Sequence, residues 1–480
     1  MTDFLEHFPF PTIRDGQKIA LTEIQNNIKD VEVFVVRAPV GAGKSGIAVA
    51  IQNALLSAGK SCNIVVPNNI LRTQYLEEFD HLTTVLSQDE YTVPKHAQWI
   101  GRAKVPYKAM SIKAFRNQYG CWPRNNPYTK DLREVKRKDS AGVLNFYSYL
   151  AHKLYRDCVV IDEAHNVLEM LKTIHAKKIW QHSANYPDGL KTFGDLMAWA
   201  ETNTHKPGVE LLLEELSKEH PASVIEHAWE AYHGEYKQCI KIKPLSVASK
   251  PPILWPDKVK RIVLMSATIS EKDLQYLGLD NRVVKYIDTH SPIPVERRPF
   301  VVCNTANMSY ANQDTSCPTI AAKCLEIADK HAGEKGMIHA PYGVAKKLKK
   351  YLEHDKRFLF HTAENKREVV KKFKESEEGI LVGSGLTEGL DLKGDLARWQ
   401  VIAKIPFPSL GDSSMRWIAN NDSDYYAWLT AREVMQAYGR VSRGEDDMGT
   451  TYSVDSAFET WYTKCVRFLP TWFKEGIRYE

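Results

Sequence analysis

The chain has 480 residues, which at roughly 100–200 residues per domain gives two to four domains, each large enough to bury a core. Hydrophobic residues make up 43% and charged residues 26%, so wholesale disorder is excluded, and no apolar run approaches the ~18 residues of a membrane span. The net charge of +5 is too small to name a partner class by itself.

The start, MTDFLEHFPFP, carries neither a basic n-region nor an apolar h-region, so a cytoplasmic protein is expected, or a nuclear one in a eukaryote. β-Branched runs then recur with amphipathic stretches between them: VEVFVV at 31–36, NIVVP at 63–67, CVVID at 158–162 and RIVLMSAT at 261–268. A second series follows, FVVCN at 300–304, GMIHA at 336–340, FLFHT at 358–362, GILVGS at 379–384 and WQVIAKI at 399–405. The alternation predicts two α/β domains with parallel sheets, 1–288 and 289–480, joined through the turn-rich THSPIPVERRP at 289–299. VELLLEELSKEH and SVIEHAWEAYHGEYKQC break the pattern and predict a helical insertion over 167–250.

APVGAGKS at 38–45 sits between a strand and an amphipathic helix, the setting a phosphate-binding loop requires. Gly41 and Gly43 let the loop's backbone N–H groups close around phosphate oxygens, with Pro39, Val40 and Ala42 completing the expected nucleotide loop; Lys44 reaches the β- and γ-phosphates, and the Ser45 hydroxyl ligates Mg²⁺. A buried strand ending in Asp162 and Glu163 supplies a second metal ligand and a carboxylate to polarise water. Gln436, Arg440 and Arg443 lie in QAYGRVSRGEDDMG; as a helix this sets the two arginines on one face, within reach of a γ-phosphate held by the other domain. Segment 85–154 contains a basic stretch. Between 91 and 140 twelve Lys or Arg face three Asp or Glu, interleaved with seven Tyr, Trp or Phe, a composition suited to phosphate contact and base stacking.

These segments, read in order, resemble the XPD/DinG family of superfamily 2 DEAH-box helicases almost end to end. PFPTIRDGQ (with Arg14 and Gln17) is similar to the adenine-side motif, APVGAGKS to motif I and VVPNNILRTQYLEEF to motif Ia. LNFYSYL resembles the tyrosine-rich segment, DEAHN the box, LMSATIS motif III, GSGLTEGLDLKGD motif V, KIPFPSLGD the Pro-Phe loop, the 436–449 segment motif VI and FLPTWF the closing segment. The resemblance implies two RecA-like domains closing on Mg-ATP, with Gly389 and Asp391 on the nucleotide and His165, Ser266 and Thr268 coupling its state to the strand. It also implies a monomeric motor on single-stranded DNA or a forked duplex, moving 5′ to 3′ beside repair, recombination or replication proteins. An RNA helicase or remodeller, and an ATP clamp that does not unwind, are the alternatives. Expected strand contacts are Asn69, Arg72, Arg102, Lys104, Trp122, Lys136, Arg137, Lys138 and Tyr147. The helical insertion takes the place of the family's Arch domain. The four cysteines that hold an iron–sulfur cluster in many members have no counterpart, since the interval offers only Cys62 and Cys121, with Cys158 in the DEAH strand, so no cluster is expected.

Overall fold

A computed structural model describes residues 3–480 apart from 94–97, 101–102, 106–109, 124–125, 182–186, 188, 233–234, 363, 387–393, 443 and 445. The two series of apolar runs form two parallel sheets. The first has six strands in the order Val284–Asp288, Val33–Arg37, Arg261–Met265, Cys158–Asp162, Cys62–Val66, Gly142–Asn145. Four of the inner strands are almost wholly buried, and helices cover both faces, as continuous Val/Ile runs require.

Register is what builds the site. Val36 pairs with Met265 and Met265 with Asp162, so the loops leaving these three strands open side by side along one edge. In an open parallel sheet that carboxyl edge is where ligands bind.

The second sheet has seven parallel strands in the order Phe358–Phe360, Ile380–Gly383, Gly336–His339, Trp399–Ile402, Thr450–Asp455, Phe300–Ala306, Ile477–Tyr479. Thr450–Asp455 is rich in polar residues and yet buried, and Thr451 Oγ1 accepts from Gln400 Nε2 at 2.8 Å. Asp455 closes the strand by accepting the Met308 and Ile405 amides at 3.0 and 2.9 Å.

The expectation of an all-helical insertion at 167–250 is corrected. Helices Val167–Ile174, Phe193–Thr202 and Val209–Leu216 are present, but 224–243 forms a β-hairpin, Val224–Tyr232 with Glu235–Lys243, extended by the antiparallel strand Lys177–Trp180. Two-residue alternation wins over the helix-forming Glu and Ala. Ile240 and Ile242 face the buried cluster with Leu196 and Leu216, while Glu226 and Glu230 pair across strands with Lys243 and Lys241 at 2.5 and 2.6 Å.

The basic segment folds into short β-pairs, Thr92–Val93 with Met110–Ser111 and Gln98–Ile100 with Ala103–Val105, followed by helices Ile112–Tyr119 and Pro127–Lys136. Tyr91, Phe115 and Tyr128 are buried, so part of its aromatic content is core.

Candidate functional site

The loop after Val33–Arg37 turns through two glycines with positive φ, Gly41 at 80° and Gly43 at 70°, a conformation that costs other residues about 1–2 kcal/mol. Gly43 caps the helix Lys44–Ser57 and needs the missing side chain twice over, since a Cβ there would lie 2.2 Å from Gln17 Nε2. Arg14 and Gln17 brace this loop from outside: Arg14 Nη1 donates to the Gly41 carbonyl at 2.8 Å and Gln17 Nε2 to the Gly43 carbonyl at 3.1 Å. Ala38 is fully buried, so the residue that departs from the general P-loop pattern belongs to the core beneath the loop.

Lys44 Nζ lies 3.4 Å from Glu163 Oε1. Burial opposes its charge, but Glu163 and Asp162 outweigh that and hold the ammonium's pKa above its usual value. Asp162 is 3% exposed; its Oδ2 accepts the Tyr75 hydroxyl at 2.9 Å and its Oδ1 the Glu163 amide at 2.9 Å. Burial, and then the neighbouring Glu163 charge, push the Asp162 carboxyl up to about 6. Glu163 goes the other way: burial would raise it, but Lys44, His165 and Arg440 together hold it below the ordinary carboxylate range. Glu163 also sits at φ 49°, a left-handed backbone unusual for a side chain of its size. The turn aims its carboxylate back over the loop, a strained placement of the sort found at functional sites.

His165 Nδ1 lies 2.9 Å from Ser266 Oγ and 3.3 Å from Glu163 Oε2. Ser266 Oγ in turn accepts the Thr268 amide at 3.1 Å, so the three expected coupling residues form one bonded chain beside the carboxylates. The Ser45 hydroxyl and the Asp162 carboxylate are oxygen donors of the kind a hard cation takes.

The second domain reaches this edge through the helix Ser423–Tyr438, which carries Gln436. Here another expectation is corrected. The helix stops before Gly439, and Arg440 lies in the turn that follows, its amide donating to the Ala437 carbonyl at 2.9 Å, so Arg440 is not carried on that helix. Arg443 lies outside the described residues, as do Gly389 and Asp391. The helix ends where the domains touch. A Cβ on Gly439 would fall 2.8 Å from Val40 Cγ2 of the phosphate loop, and Arg440 is close enough to depress the pKa of Glu163.

Comparison with known proteins agrees with this arrangement. A type III restriction enzyme res subunit model matches residues 10–188, and a helicase C-terminal domain model matches 338–476. The ATP-dependent DNA helicase YoaA of Escherichia coli is 24% identical over 233 residues, 45% of this chain and 36% of that protein. The ATP-dependent DNA helicase DinG of Photobacterium profundum is 30% identical over 126 residues, 23% of this chain and 18% of its own. The matched segments thus span well under two thirds of these relatives. A solved XPD helicase structure superposes with a TM-score of 0.61 at 14% identity, covering 98% of this chain and 100% of that one. These matches support an XPD/DinG-like superfamily 2 helicase.

In this XPD/DinG-like chain the residues expected on the strand divide into three groups. Lys136, Arg137 and Lys138 are exposed at the end of helix Pro127–Lys136, Arg137 being shared with Asp139 at 2.9 Å. Tyr147 is 61% exposed and lines a cavity of about 760 Å³ with Lys113, Arg116, Tyr128 and His152. Trp122, 44% exposed, borders the same region, its ring 4.0 Å from the Arg116 guanidinium carbon and stacked on Tyr128 at 5.6 Å. Asn69 is exposed at the start of helix Asn69–Glu78, where its Oδ1 accepts Asn145 Nδ2 at 2.6 Å.

Arg72 is the exception: 1% exposed and paired with Glu90 at 2.7 Å, it braces the loop below the surface and is out of reach of a strand. It lies on the inner side of that helix with Tyr75, the other buried residue there. Arg102 lies outside the described residues, as does the Lys104 side chain. Sequence reasoning missed Tyr75 and Gly439. Tyr75 stands within the motif Ia segment but meets Asp162 only in the fold, and Gly439 stands within a motif singled out for its arginines.

Proposed function

We propose that the chain is an ATP-dependent translocase and helicase on single-stranded DNA, hydrolysing Mg-ATP between its two RecA-like domains and moving 5′ to 3′. The observation that carries it is the meeting of Lys44, Asp162 and Glu163 from one domain with Arg440 from the other at a single sheet edge. Ser45 and Asp162 would hold Mg²⁺, which would supply positive charge to offset that of the phosphates. Lys44 and the loop amides orient the triphosphate. Glu163 polarises a water whose oxygen attacks the γ-phosphorus; its proton passes to the carboxylate and on to solvent, and the bond to the β-phosphate oxygen breaks to release ADP. Arg440 stabilises the charge that builds on the transferring group, a role worth about 10³–10⁵ in turnover in other systems.

DNA is favoured by the names of YoaA and DinG and by the basic, aromatic surface that ends at Lys136–Lys138. The test is ATP hydrolysis with single-stranded DNA or RNA added, then unwinding of 5′-tailed and 3′-tailed duplexes. Glu163→Gln is expected to bind ATP while losing turnover. Wild-type rates in that variant, or stimulation by RNA alone, would refute the assignment.

A further inference from the structure

Downstream of Ser266 and Thr268 the chain enters the helix Glu271–Leu277, where the N-cap Ser270 donates to Asp273 Oδ2 from its amide at 2.8 Å and its hydroxyl at 3.0 Å. In an ordinary capping box the carboxylate would be left to water on its other side. Asp273 is instead 3% exposed and takes two donors from the second domain. The Tyr425 hydroxyl donates to Oδ1 at 3.1 Å and the Trp428 indole to Oδ2 at 2.9 Å, with Arg432 Nη1 3.9 Å from Oδ1. Around this contact Tyr276 stacks on Tyr425 at 4.3 Å, and Lys272 pairs at 3.1 Å with Asp422, the residue capping the second-domain helix. Arg432 also feels Glu169, on the helix that follows the DEAH residues.

Tyr425, Trp428, Arg432 and Gln436 recur at spacings of three, four and four, one stripe of the helix Ser423–Tyr438. At about 1.5 Å per residue, Gln436 stands about 12 Å beyond Trp428 on the same unbroken helix. Gly439 and Arg440 come next. A helix fixed at its first half on Asp273 carries its end to a fixed place over the phosphate loop. The path also closes on itself, from Glu163 through His165, Ser266 and Thr268 to Asp273, then along the helix to Arg440 and back to Glu163.

We propose that Asp273 is a positioning residue for ATP hydrolysis: by docking the second-domain helix through Tyr425 and Trp428, it sets where Arg440 stands and ties that position to the His165–Ser266 contact. This rests on the reading that ATP is hydrolysed at Lys44 and Glu163. A carboxylate is required because every partner is a donor. In Asp273→Asn the volume is kept, but one side of the group becomes a donor facing the Trp428 indole, the Tyr425 hydroxyl or the Ser270 amide.

The test is steady-state ATP hydrolysis by the full chain carrying Asp273→Asn or Tyr425→Phe, each alone and combined with Arg440→Ala, with thermal melting alongside. Expected is a fall in kcat of about 5–150-fold, the usual range for coupled sites, with KM for ATP little changed and melting near wild type. In the Arg440→Ala background the same substitutions should add little, because residues that act as one unit are not additive. An unchanged kcat in Asp273→Asn, with the wild type active, would overturn the proposal, and so would an equal fold-loss in the Arg440→Ala background. If Asp273→Asn fails to fold, Tyr425→Phe carries the test alone, since it keeps the ring stack and deletes one hydroxyl. A wild type that hydrolyses no ATP would instead remove the underlying reading.

Discussion

Replacing Gly439 by alanine tests the domain contact at its narrowest point. Gly439 has φ −73°, so alanine meets no backbone penalty there and the whole effect comes from the added methyl. That carbon would stand 2.8 Å from Val40 Cγ2. Non-bonded carbons rest at about 3.5–4.0 Å, so either the phosphate loop or the end of the helix must give by about 0.7–1.2 Å. Val40 is β-branched and has little rotamer freedom with which to move aside. A displacement of about 1 Å in a catalytic arrangement costs on the order of 10²-fold in rate. The expected result in a coupled-enzyme ATPase assay is a kcat lowered by about that factor, with KM for ATP changed much less, because the proposed role of Arg440 is on the transferring group. Adding Val40→Ala should restore most of the loss by removing the opposing methyl. An unchanged kcat in Gly439→Ala, or no recovery in the double variant, would show that the two domains do not meet here during turnover.

Reversal of Lys136, Arg137 and Lys138 to glutamate should weaken single-strand binding and make its salt dependence shallower. At about 0.7 per phosphate, three lost contacts reduce the log–log slope by about 2, read by fluorescence anisotropy, and an unchanged slope would place them on a free surface. Trp122→Ala should cost about 1–3 kcal/mol per stacked base in the same titration while hydrolysis without nucleic acid stays at the wild-type rate. Protein purified without oxygen should be colourless, because Cys62 and Cys158 are buried partners on neighbouring strands and Cys121 lies beyond helix Ile112–Tyr119; stoichiometric iron and sulfide would refute this.

The first domain was legible because its chemistry sits at the ends of apolar strands. VEVFVV and CVVID announce buried parallel strands, and whatever follows such a strand emerges at the carboxyl edge, so Lys44, Ser45, Asp162 and Glu163 could be placed together before any coordinates. The strand Thr450–Asp455 was not legible. Its Thr and Ser residues break the apolar run by which the other strands were recognised, and Thr451 meets Gln400 only across the folded sheet. The hairpin at 224–243 was misread because Glu and Ala suggest a helix, while its salt-bridge ladder exists only after the strands have paired. Arg72 was misplaced for a related reason, since nothing local shows on which side of its helix the acceptor Glu90 will stand. The meeting of Gly439 with Val40 joins positions about 400 residues apart, a separation no periodicity reports.

The position of Thr450–Asp455 within its sheet also bears on the order in which a growing chain can fold. The strand lies between Trp399–Ile402 and Phe300–Ala306, so until it is made the strands on its two sides cannot be joined in one sheet. Both sides present open strand edges during that interval, the condition under which nascent chains pair with the wrong partner. A strongly apolar joining strand would add a third sticky surface. Thr451 and Asp455 meet their partners, Gln400 and the Met308 and Ile405 amides, only at the observed register. Polarity within this sheet therefore ties the joining of its two sides to the register at which Gln400 and the Met308 and Ile405 amides are met.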